Sequence, residues 1–245
     1  MPAGYALAAY DEIDSTNEEA KRRGEAGERT PTWIWAKTQS AGRGRRGRSW
    51  TSVPGNLFCT LLIDPETTPQ KASELSFVTA LAVADTIDGL IGEARAELKW
   101  PNDVLVDGAK ICGVLLESGG GTSERAGWLA IGIGINLATH PEGTPYPATH
   151  VGAWRDPAPE AGAALEILAA RFDFWLKRWR AAGFAPVREH WLARARGLGE
   201  DLTARLGSRT LAGKFLDLDG QGALVLQTDT GEVHTISAGE VFFGR

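Results

Sequence analysis

Four arginines alternate with three glycines in the stretch from Gly42 to Ser49, and Trp50 follows directly. Glycines at this spacing disfavour helix and strand and leave backbone N–H groups unshielded. Each arginine adds a fork of donors that keeps its positive charge. This stretch, the Arg-Gly loop, therefore predicts a site for phosphate or carboxylate. A solvated basic turn or an Arg/Gly-type nucleic-acid-binding segment has the same composition, so the rest of the chain must decide.

Charged and amide side chains also interrupt two segments that otherwise have the composition of a protein core. The segments run from Leu98 to Val106 and from Ala109 to Glu117, separated by Asp107-Gly108. An Asp-Gly pair between β-branched runs predicts a hairpin, and Trp100-Pro101 indicates a bend in its first strand. Buried charge is rare unless it is paired or functional, although a solvated outer face would explain two or three of these residues. The interrupting residues are Lys99, Asn102, Asp103, Lys110 and Glu117.

Two further stretches could contact a ligand through small groups. Ser15-Thr16-Asn17-Glu18-Glu19 has the composition of a helix N-terminus. Such a cap is either purely structural or holds a small polar ligand through hydroxyl, amide and backbone donors, and composition does not choose. In the apolar run from Gly127 to Leu137, Gly132 and Gly134 share one face of the predicted strand. Glycine there lets a ligand approach the backbone.

Composition indicates a globular, moderately acidic protein. The chain has 245 residues, of which 43% are hydrophobic, and a formal net charge of -5. This balance argues against generic nucleic-acid binding, which usually needs a broad basic surface. Cys59 and Cys112 have neither CxxC nor zinc-ligand spacing, as expected in a reducing compartment. Without a signal peptide or an apolar run long enough to cross a bilayer, we expect a cytoplasmic protein with no membrane partner.

The predicted elements place the Arg-Gly loop between two strands of a sheet, as a long excursion typical of lids and binding loops. Period-2 and period-3.6 patterns identify the elements. Strands are predicted at 5–13, 33–37, 56–63 and 127–137, and helices from 15 onward and at 73–91, 161–180 and 186–196. From 202 to 243 the sequence pattern changes to short strands with alternating apolar residues, separated by Gly and Asp turns. This pattern is typical of a small β-barrel.

Four ordered motifs resemble the biotin protein ligase family, the biotin–[acetyl-CoA-carboxylase] ligases. They are Gly42 to Trp50, Lys99-Trp100-Pro101-Asn102-Asp103, Lys110 to Glu117, and Gly132-Ile133-Gly134-Ile135-Asn136. The resemblance is strong from about residue 10 to 140 and continues more weakly to the C-terminus.

The resemblance implies an α+β fold. Residues 1–197 would form a catalytic domain with a mixed β-sheet flanked by helices, of the class II synthetase-like, biotin-lipoate ligase type. Residues 198–245 would form a small SH3-like β-barrel. DNA-binding members of the family carry a winged helix before the catalytic domain, whereas this chain begins shortly before Ser15. We therefore expect a monofunctional enzyme that does not bind DNA, and a homodimer is plausible because edge strands are available.

The implied reaction joins biotin to a lysine amine. The biotin carboxylate is unreactive until it becomes an acyl phosphate, so it attacks the α-phosphorus of ATP to give biotinyl-5′-AMP and pyrophosphate, with Mg²⁺ on the phosphates. Two anions must meet, which explains why the motifs are cationic. A lysine of a biotin carboxyl carrier protein domain then attacks the mixed anhydride, and no enzyme nucleophile is needed.

The resemblance also implies roles for individual residues. Lys110, Arg45 and Arg43 are the expected catalytic residues, and no metal ligand is assigned. The expected biotin site comprises Ser15, Thr16, Asn17, Gln39, Gly42, Arg43, Gly44, Arg45, Trp50, Lys110, Gly113, Leu115, Gly132 and Gly134. The expected ATP site comprises Arg45, Arg48, Trp50, Lys99, Asn102, Lys110 and Asn136. The four histidines have no ligand spacing and are expected to be ordinary surface or packing residues.

Two alternatives stay open at this point. A lipoate or octanoate ligase or transferase shares the wider superfamily, and the transferases use a cysteine near a lysine, as Cys112 is near Lys110. A non-enzymatic RNA-binding module could use the arginines of the Arg-Gly loop, although the acidic pI argues against it.

Overall fold

The computed structural model describes residues 1–207 and 209–243. Strands β1 to β12 are Ala6–Ile13, Thr32–Gln39, Leu57–Ile63, Ala96–Lys99, Asp103–Val106, Ala109–Gly119, Trp128–Ile135, Asp201–Leu206, Arg209–Leu218, Leu224–Gln227, Val233–Ile236 and Glu240–Phe243. Helices α1 to α5 are Thr16–Glu25, Pro69–Ala72, Leu75–Ile91, Ala161–Ala182 and Phe184–Leu192. Short 3₁₀ turns lie at Arg45–Gly47 and Val151–Ala153.

The first seven strands form one mixed sheet in the order β1-β2-β3-β7-β6-β5-β4. Strands β1 and β2 are parallel, and the other neighbours are antiparallel. This confirms the expected mixed sheet. Because side chains alternate between the two faces of a strand, the register decides which residues meet. Thr60 lies opposite Gly132, which in turn lies opposite Leu115, so these three positions share one face.

Helices cover the two faces of the sheet unequally. On one face, α3, α4 and α5 pack in a large apolar core that includes Leu81, Phe172 and Trp191. On the other face, Ala20 of α1 packs with a small cluster that includes Ile34. The expected core helix at 73–91 is confirmed as α3, although the preceding turn α2 is a separate helix capped by the Thr68 hydroxyl.

The region expected to be one hairpin is a meander of three strands. The Asp107-Gly108 turn between β5 and β6 is confirmed, with φ values of 50° and 76° that suit a type I′ turn. At Trp100-Pro101, however, the chain reverses rather than bends, because β4 and β5 pair antiparallel with Lys99 opposite Asp103. A proline that cannot donate in a sheet fits this tight turn.

Strands β8 to β12 form a second, antiparallel sheet in the order β11-β10-β9-β8-β12. This sheet is the small C-terminal β domain that the sequence predicts; over residues 201–207 and 209–243, β11 and β12 are its two edges, and strand pairing does not close it into a barrel. Its apolar side chains, Phe215 among them, join the core that contains α3. Trp100 also donates its indole N–H to Gly222 O at 3.0 Å. The boundary between 197 and 198 stays a prediction, and one core extends across it.

Within the described residues, each helix is too short or too polar to cross a membrane.

Candidate active site

A cavity opens on the α1 side of the main sheet. Its floor consists of Phe58 on β3, Gly113 and Leu115 on β6, and Gly132 and Gly134 on β7. These residues are cross-strand neighbours, because the register pairs Gly134 with Phe58 on one side and with Gly113 on the other. The glycines leave space above the backbone where ordinary strand residues would project side chains.

The Arg-Gly loop forms one wall of the cavity. It spans the connection between β2 and β3, as predicted, and hydrogen bonds across its base give it shape. Trp50 N–H donates to Gly42 O at 2.9 Å, and Gly44 N–H donates to Arg48 O at 2.7 Å. A Cβ on Gly42 would lie 2.5 Å from Trp50 O, so this glycine is needed to close the loop.

Trp50 lies directly over two glycines of the floor. A Cβ on Gly134 would be 2.5 Å from its Cε2 atom, and one on Gly113 would be 2.9 Å from its Cζ3 atom. The Lys110 Nζ atom lies 5.7 Å from the indole centroid, within cation–π range. The buried indole N–H of Trp50 has no hydrogen-bond partner within residues 1–207 and 209–243, so it can donate to a bound molecule.

Hydroxyl and amide groups converge at one end of the floor. Thr60 Oγ1 lies 2.8 Å from Thr16 Oγ1 and 2.6 Å from Asn17 Oδ1, and all three residues are buried. Gln39 Oε1 accepts from the Thr16 backbone N–H at 2.9 Å. A Cβ on Gly132 would overlap Asn17 Oδ1. The helix start predicted from residues 15–19 therefore points its polar groups into the cavity rather than into solvent.

At this end of the floor, carboxylates form ion pairs with one arginine of the Arg-Gly loop. Arg43 is ion-paired with Glu18, and its Nη2 atom lies 3.5 Å from Glu117. Glu117 also accepts from the Asn17 amide at 2.8 Å. These pairs are partly exposed, so each contributes little stability on its own. An anionic ligand could therefore replace a carboxylate partner at modest cost.

Lys110 lies at the opposite end of the floor, beside Asp103. Their Nζ and Oδ1 atoms are 2.6 Å apart, and both side chains are mostly buried. The backbone around Lys110 is fixed by the segment that follows β7, because Lys110 N–H donates to Pro147 O at 2.8 Å and Thr149 N–H donates to Lys110 O at 2.9 Å. The Tyr146 ring centroid lies 5.3 Å from Nζ.

Two further cations line the cavity between Lys110 and the C-terminal sheet. Burial, followed by the charge of Arg46, lowers the pKa of the Arg45 guanidinium, which donates to Asn102 Oδ1 at 2.9 Å. Burial also lowers the pKa of the Lys99 ammonium, against the favourable charge of Asp103. Desolvated cations of this kind bind anions strongly when the anion enters the same cavity.

Glu240 connects the Arg-Gly loop to the C-terminal sheet. Its carboxylate lies 2.8 Å from the Arg48 guanidinium and 3.4 Å from that of Arg46. Burial opposes ionisation of Glu240, but the hydrogen bond and charge of Arg48 outweigh it and hold the Glu240 pKa below its ordinary value. Phe242 follows on the same strand and lies 5.6 Å from Lys99 Nζ. The second sheet thus supplies part of the cavity wall.

The structure brings together most of the sequence-predicted site residues. The predicted residues that line the cavity are Ser15, Thr16, Asn17, Gln39, Arg43, Gly44, Arg45, Arg48, Trp50, Lys99, Asn102, Lys110, Gly113, Leu115, Gly132 and Gly134. Gly42 and Asn136 lie outside the lining. Gly42 closes the base of the loop, while the buried amide of Asn136 donates to Thr149 O at 3.0 Å and so holds the segment against Lys110.

Several lining residues were not predicted. They are Ser49, Phe58, Cys59, Trp100, Pro101, Asp103, Val114, Ile133, Tyr146, Glu240, Val241 and Phe242. Thr60 and Glu117, which hold Asn17, were missed as well. Asp103 and Glu117 carried a signal, since both interrupt apolar strands. Glu240 and Phe242 carried none, because nothing in a short C-terminal strand indicates that it faces a distant loop.

The two cysteines are buried. Burial raises the pKa of the Cys112 thiol well above its ordinary value, despite the nearby Lys110 charge, and likewise raises that of Cys59. A thiolate nucleophile needs the opposite environment. Cys112 also lies outside the cavity lining, so its environment gives no support to a cysteine-dependent transferase.

Comparison with known proteins agrees with this geometry. Residues 10–136 match the Biotin/lipoate A/B protein ligase family, and residues 197–244 match the Biotin protein ligase C terminal domain. A biotin–[acetyl-CoA-carboxylase] ligase of Paracoccus denitrificans is 42% identical over 94% of this chain and 98% of its own. The bifunctional ligase/repressor BirA of Bacillus subtilis is 32% identical over 93% of this chain and 71% of its own.

Among solved structures, the biotin protein ligase from Aquifex aeolicus in complex with biotin and ATP superposes with a TM-score of 0.82 and 28% identity. The match covers 97% of both chains. The order of motifs along the sequence, the glycine-floored cavity and these matches lead to one conclusion. The chain belongs to the Biotin/lipoate A/B protein ligase family.

Proposed function

We propose that this protein is an ATP-dependent biotin protein ligase. It converts biotin and ATP to biotinyl-5′-AMP and pyrophosphate, and then transfers biotin to a lysine amine. One observation carries the proposal: an apolar, glycine-floored cleft has neutral hydroxyl and amide groups at one end, beside the paired Arg43, and Lys110, Lys99 and Arg45 at the other. That distribution suits a ligand with a polar ring head, an apolar tail and a carboxylate that must meet a phosphate.

The neutral polar end binds the ureido ring of biotin. Ser15, Thr16, Asn17 and Gln39 supply hydroxyl, amide and backbone groups, of which Thr16 is oriented by Gln39 and Asn17 by Thr60. Groups that are fixed before binding lose little entropy when the ligand arrives. The pocket walls are Gly113, Leu115, Gly132 and Gly134, and Trp50 packs against the ring system. Gly42 has an indirect part, because it closes the loop that carries Trp50.

Lys110, Arg43 and Arg45 promote the first half-reaction. The biotin carboxylate oxygen forms a bond to the α-phosphorus of ATP as the bond to pyrophosphate breaks, and negative charge converges during this step. Lys110 neutralises the carboxylate and α-phosphate, while Arg43, Gly44 and Arg45 close over both substrates. Cations held in a cavity that excludes water stabilise such a transition state far better than cations in solvent.

The nucleotide lies toward the C-terminal sheet. Arg48, Lys99 and Asn102 bind the nucleotide directly. Asn136 contributes indirectly, because its amide holds the segment around Thr149 that lies beside Lys110. Mg²⁺ bound together with ATP would supply positive charge to the phosphates. Such ions are usually held by one or two carboxylates together with phosphate oxygens. Asp103 and Glu240 are the cavity carboxylates on this side that fit that requirement.

In the second half-reaction, a lysine amine attacks the acyl carbon of biotinyl-5′-AMP, forms the amide and releases AMP. The acceptor is a lysine on a biotin carboxyl carrier protein domain of a biotin-dependent carboxylase. We further propose a cytoplasmic location, a catalytic unit at 1–197 with an accessory C-terminal unit at 198–245, no role in DNA binding, and possible homodimer formation through sheet edges.

ATP–pyrophosphate exchange with biotin, lipoate and octanoate in parallel tests the substrate assignment. We expect exchange that depends on biotin and is far weaker with the two fatty-acid analogues. Exchange with lipoate but not biotin would reverse the assignment within the same family. Filter binding tests the RNA alternative. RNA retention that survives 0.3 M salt (roughly twice physiological ionic strength) would support it, and weak retention that collapses with salt would exclude it.

A further inference from the structure

Two histidines join the ends of the segment that borders Lys110. His140 and His150 are the first and last residues of this segment, the 140–150 loop. Their Nδ1 atoms lie 2.8 Å apart, and their ring centroids are 5.0 Å apart. Sequence reasoning assigned them no role, because a spacing of ten residues resembles no ligand motif. The fold nevertheless makes them one hydrogen-bonded pair.

The 140–150 loop contacts Lys110 on both its backbone and its side chain. Lys110 N–H donates to Pro147 O, and Lys110 O accepts from Thr149 N–H. The Tyr146 ring lies 5.3 Å from Lys110 Nζ and lines the cavity. A shift of the loop would therefore move the wall beside Nζ and release the backbone of Lys110 itself.

The two arms of the loop are held differently. The arm that ends at His150 is fixed to the sheet, since Asn136 donates its amide to Thr149 O. The other arm leaves Thr139, which is bound to Asn56, and then runs through Pro141 and Glu142. The imidazole pair spans the gap between the arms at their base. It is thus placed to fix the path of the loop, including Tyr146.

We propose that His140 and His150 are positioning residues, and that their imidazole–imidazole hydrogen bond holds the 140–150 loop against Lys110 in the productive arrangement. The proposal rests on the adenylation activity proposed above, since that activity gives Lys110 its importance. Neither histidine touches substrate. They act through the loop, so their loss should weaken adenylation rather than abolish it.

The hydrogen bond between His140 and His150 requires a proton on only one of the two Nδ1 atoms. With both nitrogens at 2.8 Å, one Nδ1 must donate and the other must accept, so two imidazolium rings cannot form it. Burial, followed by the charge of His140, lowers the pKa of His150, which favours the neutral form of the His150 ring. Of the other charged groups here, Glu142 lies on the same loop, Lys110 faces Tyr146, and Arg155 donates to Leu90 O.

Two substitutions at position 150 separate geometry from protonation. His150→Asn places an amide oxygen near the former Nδ1 position and never becomes cationic. His150→Leu keeps comparable bulk and removes the acceptor. We would measure kcat/KM for ATP in the exchange assay with saturating biotin from pH 5.5 to 8.0, and thermal midpoints for all three proteins. Dividing each value by that of the Asn variant cancels the titration of ATP itself.

At pH 7.5 we expect the Asn variant to match the wild type, and the Leu variant to fall about fivefold, the loss typical of one hydrogen bond. Toward pH 5.5 the ratio of wild type to Asn variant should fall by up to about fivefold, toward the level of the Leu variant, because only the wild type can acquire the second proton. A Leu variant equal to the wild type at pH 7.5 would overturn the proposal, as would an Asn variant with an unchanged acid limb.

Histidine ¹⁵N NMR supplies a readout that does not need activity. We expect one ring of the pair to carry its proton on Nδ1 and the other to lack it, with both signals changing together in either single variant. Independent titration of the two rings would overturn the imidazole pair even if exchange is normal. A wild-type protein without biotin-dependent exchange would instead overturn the proposed activity and leave the NMR result standing.

Discussion

Lys110 Nζ lies 2.6 Å from an oxygen of Asp103 on the neighbouring strand, and both residues line the cavity. The pair is formed across β5 and β6, whose register shifts between Val104 and Leu105. A partly buried lysine needs such a partner in the empty protein, and a phosphate or carboxylate can take the place of Asp103 when substrate binds. The ion pair therefore orients Lys110 for the step in which two anions converge.

Replacing Lys110 with alanine should depress adenylation about 10²- to 10³-fold in kcat, the range for removing one preorganised charge from a transition state. The measurement is single-turnover formation of biotinyl-5′-AMP. Transfer from preformed biotinyl-5′-AMP to an acceptor should change much less, because no carboxylate and phosphate meet in that step. Lys177→Ala is the matched control, since Lys177 makes an ion pair of the same 2.6 Å length with Asp173 on the exposed surface. Full adenylation by Lys110→Ala would refute the role.

Gly134→Ala tests whether the cavity floor must lack a side chain at this position. Its Cβ would lie 2.5 Å from Trp50, so the indole must move out of its place over β7. Overpacking of this kind costs about 1–3 kcal/mol, and we expect KM for biotin to rise roughly 10-fold or more while KM for ATP changes less. Gly89→Ala on α3 is the control, because its Cβ would contact nothing within 4 Å. Unchanged biotin affinity in the Gly134 variant would show that Trp50 is not part of the biotin site.

The sequence predicted the fold and much of the site because the relevant signals were local. Alternating glycines marked the Arg-Gly loop, and charges inside apolar strands marked Lys99 and Lys110. The reversal at Trp100-Pro101 was missed, since a bend and a tight turn leave the same X-Pro signature. The C-terminal β domain was predicted, but whether its strands close into a barrel was not readable, because closure depends on twist and register rather than composition. Partners such as Glu240 are set by packing between distant segments, which one sequence does not display.

Lys99 should make ATP binding sensitive to alkaline pH. Burial lowers the pKa of Lys99. The side chain is therefore protonated at pH values below that lowered pKa and loses its charge as the pH rises through it. Phosphate binding favours the charged form, so KM for ATP should increase from pH 7.5 toward pH 9.5 in the wild type. Lys99→Met should have a higher KM that is flat over this range. Its thermal midpoint at neutral pH should not fall, because the lowered pKa means that the folded state disfavours this charge.

Lys37→Met is the control for this prediction. Lys37 is exposed, and its hydrogen bond with Asp11 raises its pKa, so its charge persists to higher pH. The wild-type pH dependence should survive in this variant. A Lys99→Met protein whose KM still rises with pH in parallel with the wild type would assign the effect to another group.

Arg45→Gly should allow biotinyl-5′-AMP, which the wild-type enzyme holds until transfer, to dissociate from the cavity. Burial lowers the pKa of the Arg45 guanidinium, and its bond to Asn102 Oδ1 holds the Arg-Gly loop over the cavity. Without this guanidinium, the loop lacks a partner for the phosphate of biotinyl-5′-AMP, and dissociation should compete with transfer. Chemistry should continue more slowly, because Lys110 remains. Free biotinyl-5′-AMP would then acylate exposed lysines on any protein present, detectable as biotin label on added albumin.

Arg46→Gly is the matched control for loop flexibility. Arg46 is adjacent, has a φ of 58° that glycine adopts without strain, and lies outside the cavity lining, although its ion-pair partner Glu240 belongs to that lining. Both variants gain a glycine, but only Arg45→Gly should label albumin, and an excess of free amine should suppress that labelling. If the two variants label albumin equally, general loosening of the loop releases the intermediate, and Arg45 has no retaining role of its own.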